Sequence, residues 1–81
     1  MRISYHENFK KALRDFSDTI KKKTKKQIGN LSKNLRHPSL HAKKYDEAQD
    51  IWQARVDKGV RMYFSIEGDT YFLLDIKKHN K

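Results

Sequence analysis

The 81-residue chain has no cysteine, a single proline, three glycines and no long apolar run. The first absence excludes disulfides, and a reducing cytosol fits such a chain. Without a long apolar run there is no membrane-spanning helix to expect, and Met1-Arg2-Ile3-Ser4 leads into nothing that reads as a signal peptide. No internal repeat or low-complexity linker is present. Acidic residues are also scarce: 10 Asp and Glu against 19 Lys and Arg leave a formal net charge of +9. A chain this short buries only roughly 60–65% of its unfolded surface, so residues 1–81 are expected to form one domain, a sheet packed on helices.

The positive charge is unevenly placed. Residues 1–44 carry thirteen Lys or Arg and three acids, while residues 45–81 carry six and seven. A surplus of this kind points to a polyanion, with nucleic-acid phosphate the first candidate. A membrane surface would attract it too, but the basic segment lacks the bulky apolar stripe that interfacial insertion needs.

What is present from Ile51 onward is alternation. Trp52, Ala54 and Val56, then Val60, Met62, Phe64 and Ile66, then Phe72, Leu74 and Ile76 all fall on even positions. Successive strand residues point to opposite faces, so three antiparallel strands can send this whole set into one core. A three-residue turn, Asp57-Lys58-Gly59, keeps that parity, pairs Val56 with Val60 and asks Gly59 to be left-handed. Arg55 then lies directly across from Arg61. The second turn, around Glu67-Gly68-Asp69-Thr70, leaves two registers open, one pairing Arg61 with Asp75 and the other with Lys77. Gln53, Arg55, Arg61, Tyr63, Ser65, Asp75 and Lys77 share the polar face, and His79 continues the row. An exposed antiparallel sheet is polar on one side in any case. Two guanidinium groups set side by side repel, however, and a fold that keeps them there usually has an anion to hold.

The first half reads as helical. Arg2-Ile3-Ser4-Tyr5 can be a short strand with Ile3 and Tyr5 inward. Phe9, Ala12, Leu13 and Phe16 mark one face of a helix from about His6 to Phe16. Ser17-Asp18 offers N-cap chemistry for a second helix, whose stripe is Ile20, Thr24, Ile28, Leu31 and Leu35. Pro38 disfavours helix at His37, which places the end near Arg36. Lys21-Lys22-Lys23 and Lys25-Lys26 crowd the first turns of this helix, where the dipole favours anions instead. A solvated lysine face is the common reason for such a run; a footprint on a polyanion is the sharper one. Between Arg36 and Asp50 lies a long loop, either functional or partly folded into a turn of helix, with Leu40 and Tyr45 as anchors. His37 and His41 stand four apart, but no matching cysteine or acid accompanies them, so zinc is disfavoured.

The order of these pieces resembles the RelE/ParE superfamily of type II toxin–antitoxin toxins over essentially the whole chain. The likeness is carried by Asn34-Leu35-Arg36-His37-Pro38-Ser39-Leu40-His41-Ala42-Lys43-Lys44, by Ile51-Trp52-Gln53-Ala54-Arg55-Val56 with Arg61-Met62-Tyr63-Phe64, and by Leu74-Asp75-Ile76-Lys77-Lys78-His79. The resemblance implies an α+β fold, β-α-α-β-β-β, with an N-terminal short strand and a helical hairpin packed on one face of a mainly antiparallel sheet. It implies a cytoplasmic toxin partnered by an acidic antitoxin, acting on the ribosome and mRNA with no cofactor, metal or membrane. In the RelE-like branch, Arg55 and Arg61 match the basic sheet residues that hold the scissile phosphate. His79 matches a C-terminal basic or histidine position, and Lys43 and Lys44 match the basic loop before the sheet. Gln53 departs from the lysine that some relatives carry.

On that footing the candidate catalytic residues are Arg55, Arg61, His79 and Asp75. The candidate RNA-binding residues are Lys22, Lys23, Lys26, Lys43, Lys44, Lys77 and Lys78. The chemistry expected is attack of an RNA 2′-hydroxyl on the adjacent phosphate, with Arg55 and Arg61 taking the growing charge and His79 moving a proton. The alternatives are a ParE-like inhibitor of DNA gyrase that catalyses nothing, and a non-catalytic RNA-binding module.

Overall fold

The computed structural model describes residues 1–79. Strand β1 (Arg2–Tyr5) leads into helix α1 (Glu7–Arg14), which His6 caps by accepting the Asn8 N–H on Nδ1 at 3.1 Å. Helix α2 (Asp18–Lys33) begins at Ser17, whose Oγ accepts the Ile20 N–H at 3.2 Å. Such a cap stabilises a helix by about 1 kcal/mol. The helix ends at Asn34, two residues before the Arg36 expected from Pro38, because its backbone turns extended there.

The two helices cover one face of a five-stranded sheet of order β1-β5-β4-β3-β2. Its other strands are β2 (Lys43–Asp46), β3 (Ile51–Asp57), β4 (Val60–Glu67) and β5 (Thr70–Lys78). β1 runs parallel to β5, and all other neighbours are antiparallel. Helix α1 lies over β5 and α2 over β3. Phe9, Leu31, Leu40, Ala54, Met62, Phe64 and Leu73 are fully buried between the layers. Among the described residues no helix is long and apolar enough to cross a membrane.

The loop from Arg36 to Asp50 is partly folded into a turn of helix, as expected, through a 3-10 turn (Pro38–Leu40); the edge strand β2, which pairs with Ile51–Gln53 of β3, is the part not foreseen. Gly59 is not left-handed. Arg55 does face Arg61, but the next pair is Asp57 with Val60, so a bulge at Val56 keeps the parity and the turn needs no left-handed residue. The left-handed glycine is Gly68 (φ 60°), in the β4–β5 turn.

In β5, finally, Tyr71 and Leu73 rather than Phe72 and Leu74 join Ile76 in the core. Tyr63 pairs with Asp75 and Phe64 with Leu73, which leaves Leu74 as an extra residue. One inserted residue flips every side chain on one side of it.

Candidate functional site

The bulge in β5 also resolves the open register, setting Lys77 opposite Arg61. Arg55, Arg61 and Lys77 therefore form a row of three cations across β3, β4 and β5, on the face away from the helices. A second row, Lys43, Gln53, Tyr63 and Asp75, runs beside it from β2 to β5. Cations in adjacent positions lose energy by repulsion, so the arrangement has a cost that folding alone does not explain.

Each arginine is held differently. The Arg61 Nη1 donates to the backbone carbonyls of Asp57 at 2.7 Å and Val60 at 3.1 Å, with a longer contact to Lys58 at 3.4 Å. One end of its guanidinium is thus fixed to the β3–β4 turn. The Arg55 Nε is buried and has no hydrogen-bond partner among the described residues. Native structures leave few buried donors unpaired, and each asks for a reason. Behind it, the Arg55 carbonyl accepts from Gln27 Nε2 at 2.8 Å.

A cleft of about 420 Å³ opens over this row, bordered by Arg55, Arg61, Lys43, Gln53, His41 and His79. The His79 N–H donates to the Gly59 carbonyl at 2.8 Å, which ties the tail to the turn that anchors Arg61. Both arginines, Lys43 and His79 are thereby brought together as the sequence proposed. His41 was missed as a member. Its place follows from the 3-10 turn and the buried Leu40, after which His41 takes a left-handed backbone (φ 46°, ψ 43°). Only Pro38 hinted at such a turn.

The other proposed residues lie elsewhere. Asp75 does not border the cleft: Oδ1 accepts the Ile76 N–H at 2.9 Å and Oδ2 lies 3.7 Å from Lys77 Nζ. It can orient Lys77 but is turned from the arginines. Lys44 parts from Lys43, since it pairs with Trp52, whose ring packs on the core. Its ammonium lies 5.3 Å from the Trp52 ring and is tied to Asp50 and Glu47. The hydrogen bond to Asp50 holds its pKa above the usual lysine value. Lys78 borders a different hollow, beside Asp15 and Ser17. Lys23 and Lys26 line a groove between α2 and β3, and Lys22 is exposed on the same helix.

Tyrosines were also under-read. Tyr45 is no loop anchor: it is 59% exposed and sits edge-on to Tyr63, with ring centroids 4.8 Å apart. Burial, reinforced by Tyr45 and Asp75 and opposed by Arg61, pushes the Tyr63 hydroxyl above its ordinary pKa, so it stays protonated at neutral pH. Lys77 Nζ lies 5.7 Å from the same ring. His37 serves structure, accepting the Ser39 N–H at 3.2 Å. Among the described residues no group of three or more His, Asp or Glu side chains could hold a metal ion.

One ion pair links helix and site. Lys23 Nζ donates to Asp57 Oδ1 at 2.9 Å, and this bond first, then the Lys58 N–H, holds the Asp57 carboxyl below the usual carboxylate range. A carboxyl whose pKa is depressed on folding adds stability above its unfolded value, about pH 4, and loses it as pH falls through the folded one. Thermal melts of wild type and Asp57→Asn between pH 7 and pH 2 should therefore start apart, wild type higher, and converge on acidification.

No protein-family model matches the chain, and neither does any curated protein. Solved structures do. A YoeB/ParE toxin from Agrobacterium tumefaciens superposes with a TM-score of 0.82 at 12% identity, covering 99% of this chain and 100% of the other. A chain of the archaeal RelE–RelB complex from Pyrococcus horikoshii gives 0.82 at 16% identity, covering 99% and 96%. A chain of the E. coli RelBE toxin–antitoxin complex gives 0.77 at 16% identity, covering 99% and 98%. The chain has the fold of RelE/YoeB/ParE-like toxins, two helices on a mixed five-stranded sheet.

Proposed function

We propose that this protein is the toxin of a type II toxin–antitoxin module and an endoribonuclease that cuts mRNA on the ribosome. The observation that carries the reading is the buried Arg55 Nε, unpartnered among the described residues, in a row of three cations whose two arginines border a cleft. A phosphate seated there would satisfy that donor and relieve the repulsion at once. Guanidinium groups can grip phosphate through two bonds, and Arg61 enters such a contact already oriented by its turn. The exposed Tyr45 beside Tyr63 offers stacking surface for a neighbouring base.

Cutting would proceed by loss of the 2′-hydroxyl proton to a base, attack of that oxygen on phosphorus and cleavage of the bond to the 5′-oxygen. An acid protonates the departing oxygen, leaving a 2′,3′-cyclic phosphate and a 5′-hydroxyl. Arg55 and Arg61 neutralise the charge that grows on the phosphoryl oxygens, the part a metal ion plays in other nucleases. His79 takes one proton-transfer role. The structural neighbours crystallised with RelB support an antitoxin as a partner, and an acidic one would suit this basic face.

In a translation extract, the protein should produce ribosome-dependent mRNA ends that primer extension maps, and DNA supercoiling by gyrase should be untouched. Intact mRNA with blocked supercoiling would replace this reading with the ParE-like one. Salt-sensitive RNA binding with neither effect would leave a binding module.

A further inference from the structure

A 2′-hydroxyl transesterification without a metal needs two proton-transfer groups, one for the attacking oxygen and one for the leaving oxygen. His79 fills one place. Asp75, the other acid–base candidate on this face, is turned to the Ile76 N–H and Lys77 and does not border the cleft. Tyr63 does not border the cleft either. What remains at the cleft is His41, and histidine is the side chain that exchanges a proton near neutral pH.

The loop presents His41 deliberately. Leu40 is fully buried just before it, and Gln27 Nε2 holds the Ser39 carbonyl at 3.1 Å. Pinned on that side, the chain turns left-handed at His41, a conformation uncommon for a residue with a β-carbon and concentrated at functional sites. The groups facing it are Lys43 from β2, Arg55 from β3, Arg61 from β4 and His79 beyond β5, with Arg36 and His37 in the adjoining cleft. All are basic, and among the described residues no carboxylate lines either cleft, so its nearest anion would be the bound phosphate.

We propose that His41 is the second catalytic residue, working opposite His79 across the phosphate. One imidazole accepts the 2′-hydroxyl proton as the oxygen bonds to phosphorus; the other donates its proton to the 5′-oxygen as that bond breaks. Charge and protons balance with no further reactant. The proposal rests on the nuclease reading above.

Two variants suit the left-handed backbone, His41→Asn and His41→Gly, so a loss cannot be blamed on strain. In single-turnover cutting of ribosome-bound mRNA, both should fall roughly 100-fold or more. The pH–rate profile should lose one of its two limbs, while RNA affinity stays within about twofold of wild type. Free imidazole should restore at least about tenfold to His41→Gly. A two-limbed profile at wild-type rate in His41→Asn would overturn the proposal, as would a loss matched by weaker binding, or no response to imidazole. Wild-type protein that cuts no RNA at any pH would instead sink the nuclease reading, and His41 with it; the wild-type arm separates the two failures.

Discussion

Arg55→Gln is expected to slow RNA cutting by about 10²–10³-fold while the protein melts at the same temperature as wild type or above it. Arg61→Gln is expected to lose both activity and stability. Among the described residues the buried Arg55 Nε has no partner, and its neighbour across the strand is another arginine. Neutralising it removes a like-charge contact of some 0.2–1 kcal/mol and keeps most of the side-chain stem. Arg61, by contrast, ties the β3–β4 turn through Nη1 to the carbonyls of Asp57 and Val60. Losing those charge-assisted bonds should cost about 1.5–3 kcal/mol, or a fall in melting temperature of about 6–24 °C for a domain of this size. Removing a preorganised donor from developing negative charge typically slows a reaction by about 10²–10³-fold, so both variants should drop by that much in single-turnover cutting. Growth arrest on expression, the cleavage rate and a thermal melt of each protein would check this. Equal stability losses in the two variants would mean that Arg55 is a structural residue, and the phosphate site would lose its main support.

That contrast was half legible in the sequence. The facing of Arg55 and Arg61 followed from parity alone, because β3 and β4 alternate cleanly: Trp52, Ala54 and Val56 against Met62, Phe64 and Ile66, with polar residues between. The structure keeps Trp52 across from Phe64, Ala54 from Met62 and Arg55 from Arg61. In β5 the signal was degenerate. Tyr71-Phe72-Leu73-Leu74 is apolar at every position, so hydrophobicity could not say which pair points inward, and a bulge decided it. Bulges also misled at Gly59, where Val56 absorbs the extra residue that a left-handed glycine was expected to supply.

The loop was the least legible part, since four residues of β2 are too few for periodicity to register. Without that strand, Lys43 and Lys44 read as one basic pair, whereas strand geometry sends them to opposite faces. His41 depends on a left-handed turn that no local propensity demands. Helix α2 hid one further residue. Its apolar stripe is Ile20, Thr24, Ile28, Leu31 and Leu35, and Gln27, a polar residue beside a run of lysines, carries no signal of burial.

Gln27 is in fact 7% exposed, and Gln27→Leu is expected to be the most damaging polar-to-apolar change in the protein. β2 pairs with β3 only through Ile51–Gln53, so beyond that point β3 keeps β4 on one side and has no strand along its other edge. Gln27 reaches in from α2 instead. Its Nε2 donates to the Arg55 carbonyl at 2.8 Å and the Ser39 carbonyl at 3.1 Å, while Oε1 accepts from Asn30 Nδ2 at 2.8 Å and Ser39 Oγ at 3.0 Å. All four of its hydrogen-bonding positions are used, and the strand that carries Arg55 is joined to the loop that carries His41. Leucine matches the volume but leaves two carbonyls, a hydroxyl and an amide without their partner. At about 1–3 kcal/mol for each buried group left unpaired, partly recovered by water, a net loss of about 2–4 kcal/mol follows. That is a large share of the roughly 5–15 kcal/mol that holds a typical domain together, and a fall of about 8–30 °C in melting temperature. Gln27→Glu should be worse still at neutral pH, where a carboxylate would face two carbonyls. It should recover as pH falls, because a protonated carboxyl regains one donor and burial of the neutral form is favoured. Amide exchange should quicken from Ser39 to Lys43 before the rest of the sheet opens, since the tether lies there. A Gln27→Leu protein melting within about 3 °C of wild type, a shift worth less than about 1 kcal/mol, would show that the loop holds its place by Leu40 alone.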